Sequence, residues 1–99
     1  MTQRRIAGGV AKAVVDPEEM RQFAMALKKF TSRLSGDMTA MQGKMMSLSQ
    51  TWRDQEHDKF AAEFDETMRA MQRFTRSAEE HIPFLLRKAE RIDEYLRQR

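Results

Sequence analysis

Residues 49–54, SQTWRD, separate two long apolar heptad patterns, one running up to this segment and one running away from it. The two patterns predict two amphipathic helices, and the short polar break between them predicts an antiparallel hairpin that turns at Trp52. We expect helix one over about residues 17–50, the turn over about 50–54 and helix two over about 55–97.

The composition fits one all-α domain built from long amphipathic helices. The chain has 99 residues, of which 40% are hydrophobic and 33% charged, and its mean hydropathy is −0.74. Such helices bury one stripe and leave the rest in water. No stretch approaches the roughly 20 apolar residues of a membrane span. Because the chain has no cysteine, disulfides and thiolate metal sites are excluded.

Charge is distributed unevenly, with a net charge of +5 over residues 1–53 and −2 over residues 54–99. The two signs interleave, whereas a nucleic-acid binder presents a dense basic face, so we expect no nucleic-acid binding. Residues 1–15 begin with a basic pair, but their apolar part is short and is broken by glycines and a lysine. Such a segment makes a poor signal peptide, so we expect a flexible basic N-terminal arm, with residues 16–99 forming the hairpin.

Helix one has a strong start signal. Asp16 is a suitable N-cap, Pro17 suits the first helical position, and two glutamates follow in the positive first turn. Large apolar residues then recur at steps of three and four, with one extra residue between Leu34 and Met38, which predicts a contact seam with a stutter. The seam comprises Met20, Phe23, Leu27, Phe30, Leu34, Met38, Met41, Met45 and Leu48, and Trp52 continues it.

Two features near the turn have more than one interpretation. Gly36 and Gly43 weaken helix one by up to about 1 kcal/mol each, and they indicate either close approach by a neighbouring helix or a soft point beside the stutter. Methionines crowd the half of each helix nearest the turn, which is typical of adaptable core packing, with a promiscuous docking surface as the alternative. These methionines are Met38, Met41, Met45, Met46, Met68 and Met71.

Helix two begins after Asp54, a second N-cap candidate that acidic residues follow. Pro83 interrupts the pattern, but the heptad phase continues through it, so we expect a kink and not a chain reversal. Antiparallel pairing about Trp52 places Asp37 beside Arg69, which predicts an ion pair between the helices. The predicted seam comprises Phe60, Phe64, Met68, Met71, Thr75, Ala78, Ile82, Leu85, Ala89, Ile92 and Leu96.

Two helices of this length form a rod with no closed interior, because each helix meets only one partner. We therefore expect two hairpins to pair into an elongated four-helix bundle. A homodimer is the first interpretation, and a heterodimer with a related chain is the alternative. The residues expected in this hairpin and dimer core are Phe23, Leu27, Phe30, Leu34, Met41, Phe60, Phe64, Met71, Ile82 and Leu85.

The sequence shows no constellation of residues for catalysis. His57 and His81 are the only histidines, and we interpret both as solvated surface side chains. Asp54 and His57 superficially match the carboxylate-x-x-His motif of metal-bridged bundles, but the second such motif is missing. No serine has a plausible histidine and acid arrangement, and there is no glycine-rich phosphate loop. We therefore expect no enzyme activity, no metal and no cofactor.

The central tryptophan carries a family resemblance. A cysteine-free chain of 99 residues with tryptophan in the turn of a helical-hairpin pattern resembles the WXG-motif (ESAT-like) family of type VII secretion substrates, within a WXG-like subgroup. The resemblance covers about residues 14–97, and Asp54 stands where the family's turn has glycine. The matching turn motif is Trp52, Arg53 and Asp54, followed by Phe60 and Phe64.

The C-terminal segment matches the family only in part. The family's export signal reads Tyr-x-x-x-acid, whereas Arg99 stands four residues after Tyr95. A looser family pattern, with hydrophobic residues around an acid, is met by Ala89, Asp93 and Leu96. In the family, the tryptophan lies near this signal on the partner's C-terminal end. The resemblance therefore implies an export or docking surface of Trp52, Ala89, Asp93, Tyr95 and Leu96.

By this resemblance, the protein is an antiparallel homodimer that is exported whole without a cleaved signal peptide, or that serves as an adaptor for a larger toxin. The implied partners are a type VII export ATPase and such a toxin. The main alternative is a cytoplasmic coiled-coil protein with a structural or chaperone-like role. A basic accessory protein on nucleic acid or an anionic membrane is a further, less favoured alternative.

Overall fold

The computed structural model describes residues 15–98 and shows two long antiparallel helices joined by a short turn. Helix α1 spans Pro17–Leu48 and helix α2 spans Gln55–Arg97. The rod measures 66 × 25 × 16 Å and has a radius of gyration of 20.7 Å, well above the roughly 13 Å of a compact domain of about this length. The all-α hairpin fold is confirmed. Apart from its last residue, the expected N-terminal arm lies outside the described residues.

Both helices begin at an aspartate N-cap. The Asp16 carboxylate accepts a hydrogen bond from the backbone N–H of Glu18 at 2.9 Å, and Pro17 occupies the first helical position. The Asp54 carboxylate accepts from the backbone N–H of His57 at 3.0 Å. These bonds satisfy N–H groups that the first turn of a helix leaves without an internal partner.

Small side chains dominate the closest contact between the two helices. Ala24 and Ala89 are fully buried, and Thr31 is 2% exposed. On α1 the buried positions recur at every seventh residue, the spacing of one heptad position. Short side chains at the contact bring two helix axes closer together. The buried residues are Pro17, Ala24, Thr31 and Met38 on α1, and Met68, Thr75, Ala78, Ile82 and Ala89 on α2.

The seam predicted from large apolar residues is wrong, as a contact between the helices of one chain, at six positions. Phe23 and Phe30 are 60% and 54% exposed. Each directly precedes a buried residue, and one residue turns the side chain by about 100° around the helix. The other exposed seam residues are Met41, Leu48, Phe60 and Leu96. Among the other residues of the predicted core, Ile82 is buried, and the half-buried ones are Leu27, Leu34, Phe64, Met71 and Leu85.

An ion pair joins the two helices at the end of the rod opposite the turn. The Arg21 guanidinium lies 2.7 Å from the Asp93 carboxylate, and this hydrogen bond raises the pKa of Arg21 above its ordinary value. The predicted pair of Asp37 with Arg69 is wrong, because Arg69 pairs with Asp65 of its own helix at 2.7 Å. A partner four residues away lies on the same helical face and is within reach without any contact between helices.

Three residues that disfavour helix lie inside the two helices. A Cβ built at Gly36 or Gly43 would have no atom within 4 Å. The two glycines are therefore not explained by close packing of α2 against α1. Pro83 lies inside α2, which continues through it without a chain reversal. Its ring removes the backbone N–H that would donate to the carbonyl of Glu79.

The hydroxyl of Thr75 is buried between the helices and has no hydrogen-bond partner in the described part of the chain. Thr75→Val keeps the branched shape and removes that hydroxyl, so we expect a stabilisation of roughly 1 kcal/mol. Thermal unfolding followed by circular dichroism should show a Tm higher by about 4–8 °C.

Thr31→Val is the matched control for this prediction. The Thr31 hydroxyl is also buried, but it donates to the Lys28 carbonyl at 3.1 Å. Removing it deletes a satisfied hydrogen bond, so the gain at Thr31 should be smaller or absent. A Tm gain that is as large for Thr31→Val as for Thr75→Val would contradict the account.

Candidate functional site

Backbone hydrogen bonds close the C-terminal end of α1 before the chain reverses direction. The backbone N–H groups of Ser49 and Trp52 donate to the carbonyls of Met45 and Leu48 at 3.0 and 2.9 Å. Trp52 thereby continues the seven-residue series of α1 contact positions, and its side chain is half-buried. The turn therefore places the indole against α2.

A row of aromatic rings runs from the turn along the start of α2. The Trp52 ring meets His57 edge to face, with centroids 5.2 Å apart, and lies 6.2 Å from Phe60. Phe60 in turn lies 6.2 Å from Phe64, one helical turn further on. These separations are in the range of favourable aromatic contacts. Because Phe60 is 46% exposed, the row is open to solvent on one side.

His57 connects the end of α1 to the start of α2. Its Nε2 lies 2.7 Å from the Ser49 hydroxyl, and its Nδ1 lies 3.2 Å from the Asp58 carboxylate. A carboxylate only accepts, so Nδ1 donates to Asp58, and Nε2 of the neutral ring accepts from Ser49. The His57 side chain is only 13% exposed, so its interpretation as solvated is wrong; the hairpin brings Ser49 over it. His81 is exposed.

Ser49, His57 and Asp58 have the connectivity of a catalytic triad, an arrangement that the sequence pattern did not reveal. In a working triad the carboxylate is buried and holds the imidazole in orientation. The Asp58 side chain is instead 78% exposed and directly follows His57 in the chain. Ser49 is the C-cap of α1. The three groups therefore differ from a working triad in the exposure of the carboxylate, and they form a structural link between the helices.

Metal-binding clusters and membrane-spanning helices are both absent from the part of the chain that the structure describes. Within residues 15–98, no cluster of three or more histidine, aspartate or glutamate side chains is placed to hold a metal ion. The Asp54 carboxylate caps α2. Over the same residues, neither helix has the length and apolar character needed to cross a membrane.

An apolar face runs along one side of the hairpin. Phe30 of α1 and Phe74 of α2 meet edge to face, with centroids 6.3 Å apart, beside a groove that Leu34 and Met71 also line. Residues 7, 11 or 18 positions away lie on the same side of an α-helix, since these spacings are close to whole numbers of turns. The apolar face therefore comprises Phe23, Phe30, Met41 and Leu48 of α1, and Phe60, Phe74, Leu85 and Ile92 of α2.

The family of the chain follows from its sequence profile together with this fold. The profile of WXG100, described as proteins of 100 residues with WXG, matches residues 13–95. This chain belongs to the WXG100 family. The match includes all of α1 and the turn and nearly all of α2, so the resemblance carried by Trp52 is confirmed.

A solved structure supports the same assignment. The secreted protein ESXB from Bacillus anthracis strain Sterne is 25% identical to this chain, with a TM-score of 0.65. The similarity covers 86% of this chain and 91% of that one. A comparison with curated proteins found no match.

This WXG100 chain makes its turn without the glycine of the motif. Asp54, which replaces it, has φ −92° and ψ −174°. That extended conformation is open to any residue, so no glycine is required. The aspartate instead uses its carboxylate to cap α2.

The residues of the implied export surface fall into two groups. Ala89 is fully buried against α1, and the Asp93 carboxylate is bonded to α1 through the ion pair described above. Tyr95 and Leu96 are 63% and 38% exposed. Because α2 runs the length of the rod, Trp52 and Tyr95 of one chain lie at opposite ends. A single hairpin therefore does not bring the implied surface together.

Proposed function

We propose that this protein is a small non-enzymatic secretion substrate or export adaptor that acts as an antiparallel homodimer through protein–protein contacts. The observation that carries the proposal is the uncovered apolar face on a WXG100 hairpin. The similar protein ESXB is described as secreted, which supports export for this chain as well. We infer that export proceeds without a cleaved signal peptide.

A second copy supplies the cover that the apolar face lacks. Phe23, Phe30 and Phe74 are 60%, 54% and 48% exposed in the single hairpin. Soluble monomers rarely expose contiguous apolar patches of more than a few hundred Å². Burial of the exposed half of each side chain would contribute roughly 1 kcal/mol. The same face on two copies makes a self-complementary two-fold interface, and two paired hairpins form a four-helix bundle.

An antiparallel dimer also assembles the docking surface. Placing the turn of one hairpin beside the open end of the other puts Trp52 near Tyr95 and Leu96 of the second copy. We infer that these three residues form the contact for an export ATPase or a larger toxin. Ala89 and Asp93 contribute indirectly, because they hold this part of α2 against α1.

The test is export from the native host after Trp52→Ala. We expect secreted protein to fall by at least about tenfold, equivalent to about 1.4 kcal/mol of lost recognition, while light scattering still shows a dimer. Phe84→Ala is the matched control, since Phe84 is 45% exposed and lies two residues, about 200° around the helix, from buried Ile82. Undiminished export of Trp52→Ala would remove the indole from the docking surface. Wild-type protein found only in the cytosol, bound to a helical partner, would support the coiled-coil alternative.

A further inference from the structure

We propose that His57 is the positioning residue of the turn: its hydrogen bond with Ser49 holds the imidazole where Trp52 packs against it in one orientation. A role of this orientation in partner docking rests on the function proposed above, whereas the packing of Trp52 against His57 does not.

Hydrogen bonds at both ring nitrogens anchor the imidazole of His57. The distance of 2.7 Å between Nε2 and the Ser49 hydroxyl is short for a hydrogen bond to nitrogen. The side chain is 13% exposed, so water has little access to compete. On the other side of the ring, Nδ1 is held by Asp58 at 3.2 Å. Rotation of the ring would break both bonds, so the imidazole has one favoured placement.

The fixed imidazole in turn restricts the indole of Trp52, because the two rings pack against each other. The Trp52 and His57 rings meet at 79° with centroids 5.2 Å apart, while Phe60 flanks the indole at 6.2 Å and 34°. Edge-to-face contacts are directional, because the positive edge of one ring meets the negative face of the other. A fixed imidazole therefore restricts the rotamers open to Trp52.

The backbone of His57 also takes part in the turn. The N–H of His57 donates to Asp54, the residue that stands in place of the motif's glycine. His57 thus contacts the C-cap of α1, the N-cap of α2 and the indole between them. A partner that meets a preorganised aromatic group loses less conformational entropy on binding. By keeping Trp52 rigid, His57 lowers the entropic cost of docking.

Fluorescence tests the proposal directly, because Trp52 is the only tryptophan in the chain. His57→Ala removes the ring and the hydrogen bond, and we expect about a twofold rise in the acrylamide quenching constant of Trp52 with a fall in its anisotropy. Ser49→Ala removes only the hydroxyl, and His57→Phe keeps a ring but cannot accept from Ser49. Both should give the same smaller rise, and the double variant should give no more than either alone.

His57→Gln and His81→Gln complete the design. The glutamine at position 57 retains a polar group that can reach Ser49 and should lower quenching below that of His57→Ala. The exposed His81 should tolerate the same change without effect. Circular dichroism and light scattering establish that each variant keeps its helices and its assembly state. Quenching at the wild-type level in Ser49→Ala or His57→Ala overturns the proposal, as does additive behaviour of Ser49→Ala with His57→Phe.

Export of the same variants separates this inference from the proposed function. We expect Ser49→Ala and His57→Phe to lower export less than Trp52→Ala does. Normal export of these two variants with raised quenching would overturn the link to docking and leave the packing result standing. Normal export of Trp52→Ala would overturn the proposed function, and the fluorescence result would still decide whether His57 positions the indole.

Discussion

Phe30→Asp is expected to convert the proposed dimer into a monomer at micromolar concentration. Phe30 lies at the centre of the apolar face, 6.3 Å from the ring of Phe74, and 54% of its surface is exposed in the single hairpin. In a two-fold interface the substitution acts twice. Because about half of each Phe30 is left to bury, losing the two side chains costs about 2 kcal/mol, which weakens dimerisation by about 30-fold. Desolvation of two carboxylates adds to that loss.

Sedimentation equilibrium or light scattering over a concentration series measures this effect. Phe84→Asp is the matched control, because it places the same charge at a phenylalanine of similar exposure on the side of α2 that faces away from α1. The control should dimerise like the wild type. An unchanged dissociation constant for Phe30→Asp, or a wild-type protein that stays monomeric throughout the series, would contradict the proposed bundle.

Removing residues 94–99 is expected to abolish detectable export while the hairpin and the dimer persist. The cut falls after Asp93, so the ion pair with Arg21 remains. Tyr95 and Leu96, which are exposed, are lost with the segment. Because these side chains contribute little to the hairpin, their loss should act on recognition. We expect a fall in secreted protein of at least about a hundredfold, or about 2.8 kcal/mol.

Quantitative immunoblots of the culture medium and of the cell pellet measure this effect. Tyr95→Ala combined with Leu96→Ala in the full chain should reproduce most of the loss. Glu90→Gln combined with Arg91→Gln changes two exposed residues one turn earlier and should leave export near the wild-type level. Normal export of the truncated chain would exclude this segment as a signal. A truncated chain that loses its helices would shift the test to the double alanine variant.

Sequence patterns do not predict which stripe of α1 contacts α2. Phe23 and Phe30 are seven residues apart, and so are Ala24 and Thr31. Periodicity alone therefore does not choose between these two adjacent stripes of α1. Ranking residues by hydrophobicity selects the phenylalanines, whereas the structure places the small residues in the contact. On α2 the predicted seam already contained small residues such as Thr75, and it agrees better with the observed burial.

In the turn, the interaction between residues close in sequence was predictable, whereas the contact across the turn was not. Asp54 as the cap of α2 is a local pattern, and the structure contains that bond. The contact of His57 with Ser49 joins α2 to the C-cap of α1, and it depends on how residues 49–54 are folded. Its sequence signal is only a hydroxyl and an imidazole eight residues apart across a predicted turn, which is too common to single out the pair.

The two-helix hairpin, the position of its turn and its WXG-like character follow from the amino-acid sequence alone. Heptad spacing, capping residues and the central Trp52 are local features, and helices respond to local features. The three-dimensional packing was needed to show which stripe of α1 meets α2, which aromatic residues stay exposed, and that His57 packs beneath the turn. Those outcomes depend on the separation and rotation of two helices about their axes, and a one-dimensional pattern of residue types does not contain these quantities.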